Sequence, residues 1–348
     1  MAMFSIRSIQ ILLLSVVSLL FFNSAVIAGE SPACDTEEQV QGGQWWRETR
    51  AIMGTEIKVE VWHQKAAGCA AISAVMDEME RIDRAMSPYI ESSLLSNLNK
   101  NAATVRVQVG KELFELIESS LSYSELTNGA FDITYASVGR YYDFRRGQIP
   151  DDKTIEESIK AINYRYIEMD PDSYAIRYKV EGVYIDLGGI AKGYAVDRGV
   201  EILKAHGITQ GLVGAGGDSR FLGDRDGEPW VVGIRDPRQA SEMVAVLPLM
   251  DVSVSTSGDY ERFFEKDGVR YHHIIDPQTG DSAREVQSVT ILGDQAMDTD
   301  ALSTSVFVLG VERGLALVNG LQGFDAIIVD SRGQLHFSKS LLELTASR

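Results

Sequence analysis

Three places in this chain hold residues whose types and spacing suit chemistry. The first is Asp186-Leu187-Gly188-Gly189-Ile190-Ala191-Lys192, running on to Asp197. A carboxylate and an ammonium bracket a double glycine. That pattern is expected where a strand turns into a helix N-terminus whose outward N–H groups, with a lysine charge, receive a phosphate. A double glycine also makes a plain tight turn. The second place is Asp300 and Thr304, four apart and therefore on one face of a helix. Carboxylate and hydroxyl are hard oxygen donors of the kind Mg²⁺ prefers, and a Gly189 carbonyl would join them if the turn lay opposite. The same pair reads equally as the polar start of a helix, with Asp298 or Asp300 complementing the macrodipole. The third is His272-His273, beside Asp276. With five histidines and two cysteines in the chain, a zinc centre lacks ligands. His273 is then either a general base acting on a hydroxyl or an ordinary strand histidine.

The elements that would position these groups follow from periodicity. Val183-Tyr184-Ile185 predicts a buried strand entering the glycine turn, and Ala195, Val196, Val200 and Leu203 predict a helix closing near His206-Gly207. Residues 56–62 alternate as a half-buried strand after a polar lead containing Trp45-Trp46. Helices are expected over 66–86, 111–127, 154–162 and 297–309, with 92–99 a polar, leucine-spaced segment. Strands are expected over 166–185, 230–234, 244–249 and 252–255. Hairpins turn at Lys266-Asp267-Gly268 and between Val329 and Leu335. Gly214-Ala215-Gly216-Gly217-Asp218 lacks the spacing of a dinucleotide fingerprint and leads into an extended segment. No nucleophile elbow, Walker A loop or His-Glu-x-x-His occurs. Strands and helices mixed without regular βα alternation predict an α+β protein with a largely antiparallel sheet.

The 348 residues begin with Arg7, an apolar run from Ile11 to Phe22, and small residues ending at Ala28. This predicts a cleaved secretory signal peptide over 1–28 and a globular domain over 29–348. The run is short for spanning roughly 30 Å of hydrocarbon. Cys34 and Cys69 both survive cleavage and can pair in an oxidising compartment. Ser31-Pro32-Ala33-Cys34 only faintly resembles a lipoprotein box, so lipidation of Cys34 is the lesser reading. The net charge of −17 becomes −18 without Arg7. So acidic a chain is no partner for nucleic acid or anionic lipid, and a metal cation would help it hold a polyphosphate.

Eight short motifs occur in order: Met53-Gly54-Thr55; Met86-Ser87-Pro88-Tyr89 with Leu98-Asn99; Gly129-Ala130-Phe131-Asp132; Asp186 to Asp197; Gly216-Gly217-Asp218; Thr256-Ser257-Gly258-Asp259-Tyr260; His273-Ile274-Ile275-Asp276-Pro277 with Thr279-Gly280; and Asp300-Ala301 with Thr304. In these the chain resembles the ApbE family, the FAD:protein FMN transferases exported by bacteria, from Met53 to Gly310. Glycine at position 214 stands where many relatives carry asparagine.

The resemblance implies an ApbE-like, T-fold-type architecture with a flavin and metal site between its halves. It implies FAD contacts at Met53, Tyr89, Ala130, Phe131, Asp132, Asp186, Lys192, Ser257 and His273. Mg²⁺ or Mn²⁺ would sit on Gly189, Asp300 and Thr304, with Ser303 as a further contact. The catalytic residues would be His273, Asp300 and Lys192. The implied reaction moves the FMN half of FAD to a threonine hydroxyl of an acceptor protein and releases AMP. Implied acceptors are flavin-carrying subunits of Na⁺-translocating NADH:quinone reductases or related Rnf-type complexes, met in the periplasm or at the inner-membrane surface. A metal-dependent FAD pyrophosphatase and a non-catalytic periplasmic FAD-binding protein are the alternatives. An aromatic Tyr89 over the flavin, shielding it from water, favours transfer.

Overall fold

The nine-stranded sheet at the centre of the molecule is antiparallel at every pairing. The computed structural model describes residues 34–40, 42–64 and 67–346; the leader expected over 1–28 lies outside them. In chain order the strands are β1 (Asp35–Val40), β2 (Gly43–Ile52), β3 (Thr55–His63), β4 (Val107–Gln108), β5 (Ile167–Asp170), β6 (Ala175–Tyr178), β7 (Gly211–Ala215) and β8 (Asp218–Leu222). They continue with β9 (Trp230–Arg235), β10 (Met243–Leu249), β11 (Ser253–Gly258), β12 (Phe263–Lys266), β13 (Val269–His272), β14 (Val286–Gly293), β15 (Asp325–Asp330) and β16 (Leu335–Phe337). The central sheet runs β1-β2-β3-β7-β8-β11-β14-β15-β16, and the other strands form three small sheets.

The helices are α1 (Ala67–Met86), α2 (Leu94–Asn101), α3 (Lys111–Leu126), α4 (Ala136–Gly139), α5 (Asp152–Ser158), α6 (Ala191–Ala205), α7 (Ala296–Gly320) and α8 (Lys339–Ala346). α1, α6 and α7 lie side by side against the central sheet. Apolar stripes such as Ile72, Val75, Met79 and Ile82 on α1 bury against Ile57, Val59 and Val61 of β3. α7 packs Leu302, Val306 and Phe307 on Val289, Ile291 and Ile328. It is interrupted at Gly310, whose φ of 77° and ψ of −175° no helix holds. The expected stop at Leu309 is therefore a real break.

Two hairpin turns shape the edge that carries the site. Ile52 pairs with Thr55, so β2 and β3 are joined by Met53-Gly54 alone, at φ 56° and 68°. Both values demand the left-handed region of a type I′ turn, which a methionine enters only at a cost. Ala215 pairs with Asp218 across Gly216-Gly217, and a Cβ on Gly217 would stand 2.5 Å from the Thr256 carbonyl oxygen.

The expected strand Val183–Ile185 joins no sheet. Its backbone groups are met by side chains and a turn: Asn99 Nδ2 donates to the Ile185 oxygen at 2.9 Å, Ile185 N donates to Asn99 Oδ1 at 2.8 Å, and Asp186 N donates to the Ile133 oxygen at 3.0 Å. The polar lead contains the ten-residue β2, and 92–99 folds as most of α2. The central β14 falls on residues for which the sequence carried no expectation.

Cys34 and Cys69 form a disulfide, with Cα atoms 5.7 Å apart, fastening the start of β1 to the first turn of α1.

Candidate active site

The start of α6, the first turns of α7, the middle of β11 and the β7–β8 turn converge on Lys192. Its Nζ lies 2.5 Å from Asp218 Oδ2 and 3.3 and 3.4 Å from the two Asp300 oxygens. Burial pulls the ammonium pKa down, but the Asp218 and Asp300 charges outweigh it and hold Lys192 above its ordinary value, so it stays charged. Burial and the neighbouring Asp218 charge push the Asp300 carboxyl up to about 7, against the opposing pull of Lys192 and the Gly193 N–H. That N–H donates to Asp300 Oδ2 at 3.0 Å.

β11 and α7 are joined by two hydroxyl rungs, Ser255 to Thr299 and Ser257 to Ser303, each 2.8 Å. Two residues along a strand advance about 6.8 Å and four along a helix about 6 Å, so the periods nearly coincide and the rungs repeat. Ser257 is also 3.4 Å from the Thr304 hydroxyl.

A Cβ on Gly189 would stand 3.2 Å from Thr304 Oγ1 and 3.2 Å from the Phe131 ring. The glycine turn therefore does lie against the α7 face that bears Thr304. Asp300, Ser303 and Thr304 on α7 offer oxygen donors, and the Gly189 backbone passes beside Thr304. Among the described residues no cluster of three or more His, Cys, Asp or Glu offers an alternative. This chemistry fits a hard divalent cation.

The predicted phosphate nest is reduced. Gly188 N donates to Asp186 Oδ1 at 2.6 Å, Ile190 N and Ala191 N both donate to the Leu187 oxygen, and Gly193 N holds Asp300. Four amides at the start of α6 are thus engaged within the protein, and Lys192 is left as the principal local cation for an anionic ligand.

On the other side of the turn stand Asp186, Tyr89 and Arg262. Burial raises the Asp186 carboxyl, while the Gly188 N–H and the Arg262 charge lower it. Tyr89 is 85% exposed, and Asp186, Arg262 and Tyr184 lie within electrostatic reach of its hydroxyl. Arg262 Nη2 donates to the Gly54 oxygen at 3.2 Å, which brings the strained Met53 turn to the same place.

The two adjacent histidines part company. His272 is buried, with Nε2 2.7 Å from the Ala283 oxygen and its ring edge-on to Phe307 at 5.5 Å; it is a core residue. His273 donates its N–H to the Arg262 oxygen at 3.1 Å, and its Nδ1 is buried with no partner. Burial first, then the Arg262, His272 and Lys192 charges, push the imidazole down to about 3. At neutral pH its ring is uncharged.

Asp132 has both carboxylate oxygens bonded within the protein. Its Oδ1 accepts from Thr134 N at 2.8 Å and Thr134 Oγ1 at 2.6 Å, and its Oδ2 accepts from Tyr164 N at 2.8 Å. It is a buried cap of the turn Ile133–Tyr135, with both oxygens facing protein. Ala130 and Phe131 are buried beside it, and the Phe131 ring meets Tyr123 edge-on at 6.1 Å. Asp218 and Arg262 join the site without a role expected from the sequence. Asp218 belongs to the Gly216-Gly217-Asp218 motif but carries no role there; Arg262, three residues after Asp259, has no pattern to mark it.

A profile of the ApbE family matches residues 53–328, a span that holds every residue of this site. A FAD:protein FMN transferase of Treponema pallidum is 35% identical over 298 residues, covering 80% of this chain and 82% of that protein. One from Vibrio cholerae is 32% identical over 281 residues, covering 78% and 83%. Among solved structures, the ApbE protein of Thermotoga maritima superposes with a TM-score of 0.80 at 35% identity, covering 86% of this chain and 99% of that one. The flavin transferase ApbE of Vibrio cholerae gives 0.78 at 27% identity with the same coverage. Profile, relatives and fold agree over the residues that build the site, and the chain belongs to the ApbE family.

Proposed function

We propose that this chain is a FAD:protein FMN transferase that moves the FMN half of FAD onto a threonine hydroxyl of an acceptor protein and releases AMP. The observation that carries the reading is the convergence of a charged Lys192, the Asp300 carboxylate, the Gly189 turn against Thr304 and the unpartnered Nδ1 of His273. In the reaction the acceptor Oγ bonds to the FMN phosphorus as the pyrophosphate P–O bond breaks, and AMP leaves with the bridging oxygen.

Lys192, between two carboxylates, opposes the charge of the pyrophosphate. His273, neutral and with a free ring nitrogen, receives the threonine proton. Tyr89, Asp186 and the Met53 turn hold the flavin end, with Tyr89 shielding the reacting phosphorus from water. Asp300, Thr304 and the Gly189 carbonyl, with Ser303 alongside, would hold Mg²⁺ or Mn²⁺, which when bound supplies further charge neutralisation at the phosphates. The signal peptide expected over 1–28 and the Cys34–Cys69 disulfide support a periplasmic site of action. The acceptors would be flavin-carrying subunits of Na⁺-translocating NADH:quinone reductases or Rnf-type complexes.

The test is mass spectrometry of such a subunit after incubation with the mature protein, FAD and Mg²⁺. The expected result is one FMN-mass adduct on a threonine, absent with EDTA and absent in Asp300→Ala. An unmodified acceptor beside free FMN and AMP would replace transfer by hydrolysis. Intact FAD would make the protein a carrier.

A further inference from the structure

α7 begins without a cap of its own. Its N-cap residue, Gln295, has the extended backbone of a cap but makes no side-chain capping bond, leaving first-turn N–H groups to find partners elsewhere. They find them on α6. Asp197 Oδ1 accepts from Ala296 N at 2.9 Å and Asp197 Oδ2 from Met297 N at 2.8 Å. One turn earlier on the same face of α6, Gly193 passes so close to α7 that a Cβ there would stand 2.1 Å from the Ala296 carbonyl oxygen. Its own N–H reaches Asp300 at 3.0 Å. Gly193 and Asp197 on one helix thus face Ala296, Met297 and Asp300 on the other. Asp300 and Thr304 follow within the next two turns of α7, and Lys192 adjoins Gly193.

We propose that Asp197 is a positioning residue: by capping α7 from α6, it sets where Asp300 and Thr304 stand relative to Lys192 and the Gly189 turn. The proposal rests on the reading of Asp300 and Thr304 as metal ligands. A cap within α7 would satisfy the same N–H groups but leave the helix free to slide or rotate against α6. A carboxylate on the neighbouring helix fixes both its start and its register. Outer groups that orient metal ligands typically change metal affinity 10- to 100-fold when removed.

The experiment separates capping from positioning. Asp197→Asn presents an amide NH₂ toward one of the two N–H groups. The double variant Asp197→Asn/Gln295→Asp gives α7 a carboxylate cap of its own and keeps the net charge. Binding of Mn²⁺, as the probe, is followed by electron paramagnetic resonance of the free ion in FAD-loaded protein, and melting is measured without metal. The expected result is wild-type-like melting of the double variant with Mn²⁺ affinity still weakened about tenfold or more. Recovery of Mn²⁺ affinity along with melting would reduce Asp197 to a cap and overturn the proposal. A double variant that does not fold would also overturn it, by making Asp197 a support of the whole fold. Wild-type protein that binds no Mn²⁺, with Asp300→Ala no different, would instead overturn the metal reading on which the proposal stands.

Discussion

Asn99 makes with Ile185 the two hydrogen bonds that a neighbouring strand would make, one from each end of its side-chain amide, at 2.9 and 2.8 Å. The segment that delivers Asp186 to the site is therefore held by side chains, Asn99 on Ile185 and Ser137 on Tyr184, where a ladder would ordinarily hold it. Asn99→Leu, which fills the space but returns no hydrogen bond, leaves two backbone groups unmet at about 1–3 kcal/mol each. The expected outcome is a lower melting temperature and FAD binding weakened more than tenfold. Unchanged FAD affinity would show that Asp186 is placed by the glycine turn alone.

Lys192→Met should be harsher on function than on shape. It strips the cation from between the buried Asp218 and Asp300, and removing one partner of a buried ion cluster typically costs about 3–5 kcal/mol. Part of that loss should vanish at lower pH, where the raised Asp300 carboxyl takes up a proton. Chemical denaturation of metal-free variant and wild type at pH 7.5 and 5.5 measures it, and the stability gap should narrow at the lower pH. FMN transfer should be undetectable at either.

The His273 ring contributes a pH dependence of the opposite kind. Its folded value, about 3, lies below its ordinary 6.5, so between those pH values the unfolded chain binds the extra proton. The stability from a neutral ring is complete above about pH 6.5 and is lost as the pH falls toward 3. At roughly 1.4 kcal/mol per pH unit, the ring accounts for at most about 2 kcal/mol of loss between pH 6.5 and 5. His273→Gln should flatten the wild-type slope by up to that amount in urea unfolding. It should also abolish transfer while FAD still binds. Near-normal turnover would remove His273 from the reaction.

Two glycines predict contrasting failures. At Gly193 a methyl group would meet the Ala296 backbone oxygen at 2.1 Å, where only helix displacement gives relief. Gly193→Ala should melt well below wild type, since overpacking commonly costs about 1–3 kcal/mol and backbone contacts yield least. At Gly189 the neighbours, at 3.2 Å, are the Phe131 ring and the Thr304 hydroxyl, both side chains able to shift. Gly189→Ala should melt near wild type and lose transfer more than tenfold. Calorimetry beside the adduct assay separates the two; equal effects on both quantities would contradict the assignment.

Much of the site was legible because its motifs combine rare residue types with turn glycines, and those survive without knowledge of the fold. Gly189 and Thr304 lie in contact as expected, although 115 positions separate them in the chain. What stayed hidden was which polar atoms the protein itself would occupy. Nothing local tells Asp132, whose oxygens cap a turn, from Asp186, which stands beside Tyr89 and Arg262. Of the strands that the sequence leaves unmarked, β2 and β14 are missed for opposite reasons. β2 carries Arg47, Glu48 and Arg50 through its middle and looks like a solvated lead, whereas β14 is buried at all eight positions and shows no alternation. Val183–Ile185 has the composition of a strand. The presence of Asn99 and Ser137 decides that it pairs with side chains.

The Cys34–Cys69 bond bears on mechanics as well as stability. It closes a loop whose ends are 35 positions apart, containing all of β1, β2 and β3. A pull on the chain ahead of Cys34 would therefore travel through a covalent bond into the first turn of α1, bypassing the β1–β2 hydrogen bonds. Those bonds carry no load while the disulfide is whole. Reduction would reroute the same force to unzip β1 first, then β2 with its Met53 turn, so that tension at the N-terminus would reach the Met53 turn beside Arg262 before it reached Lys192.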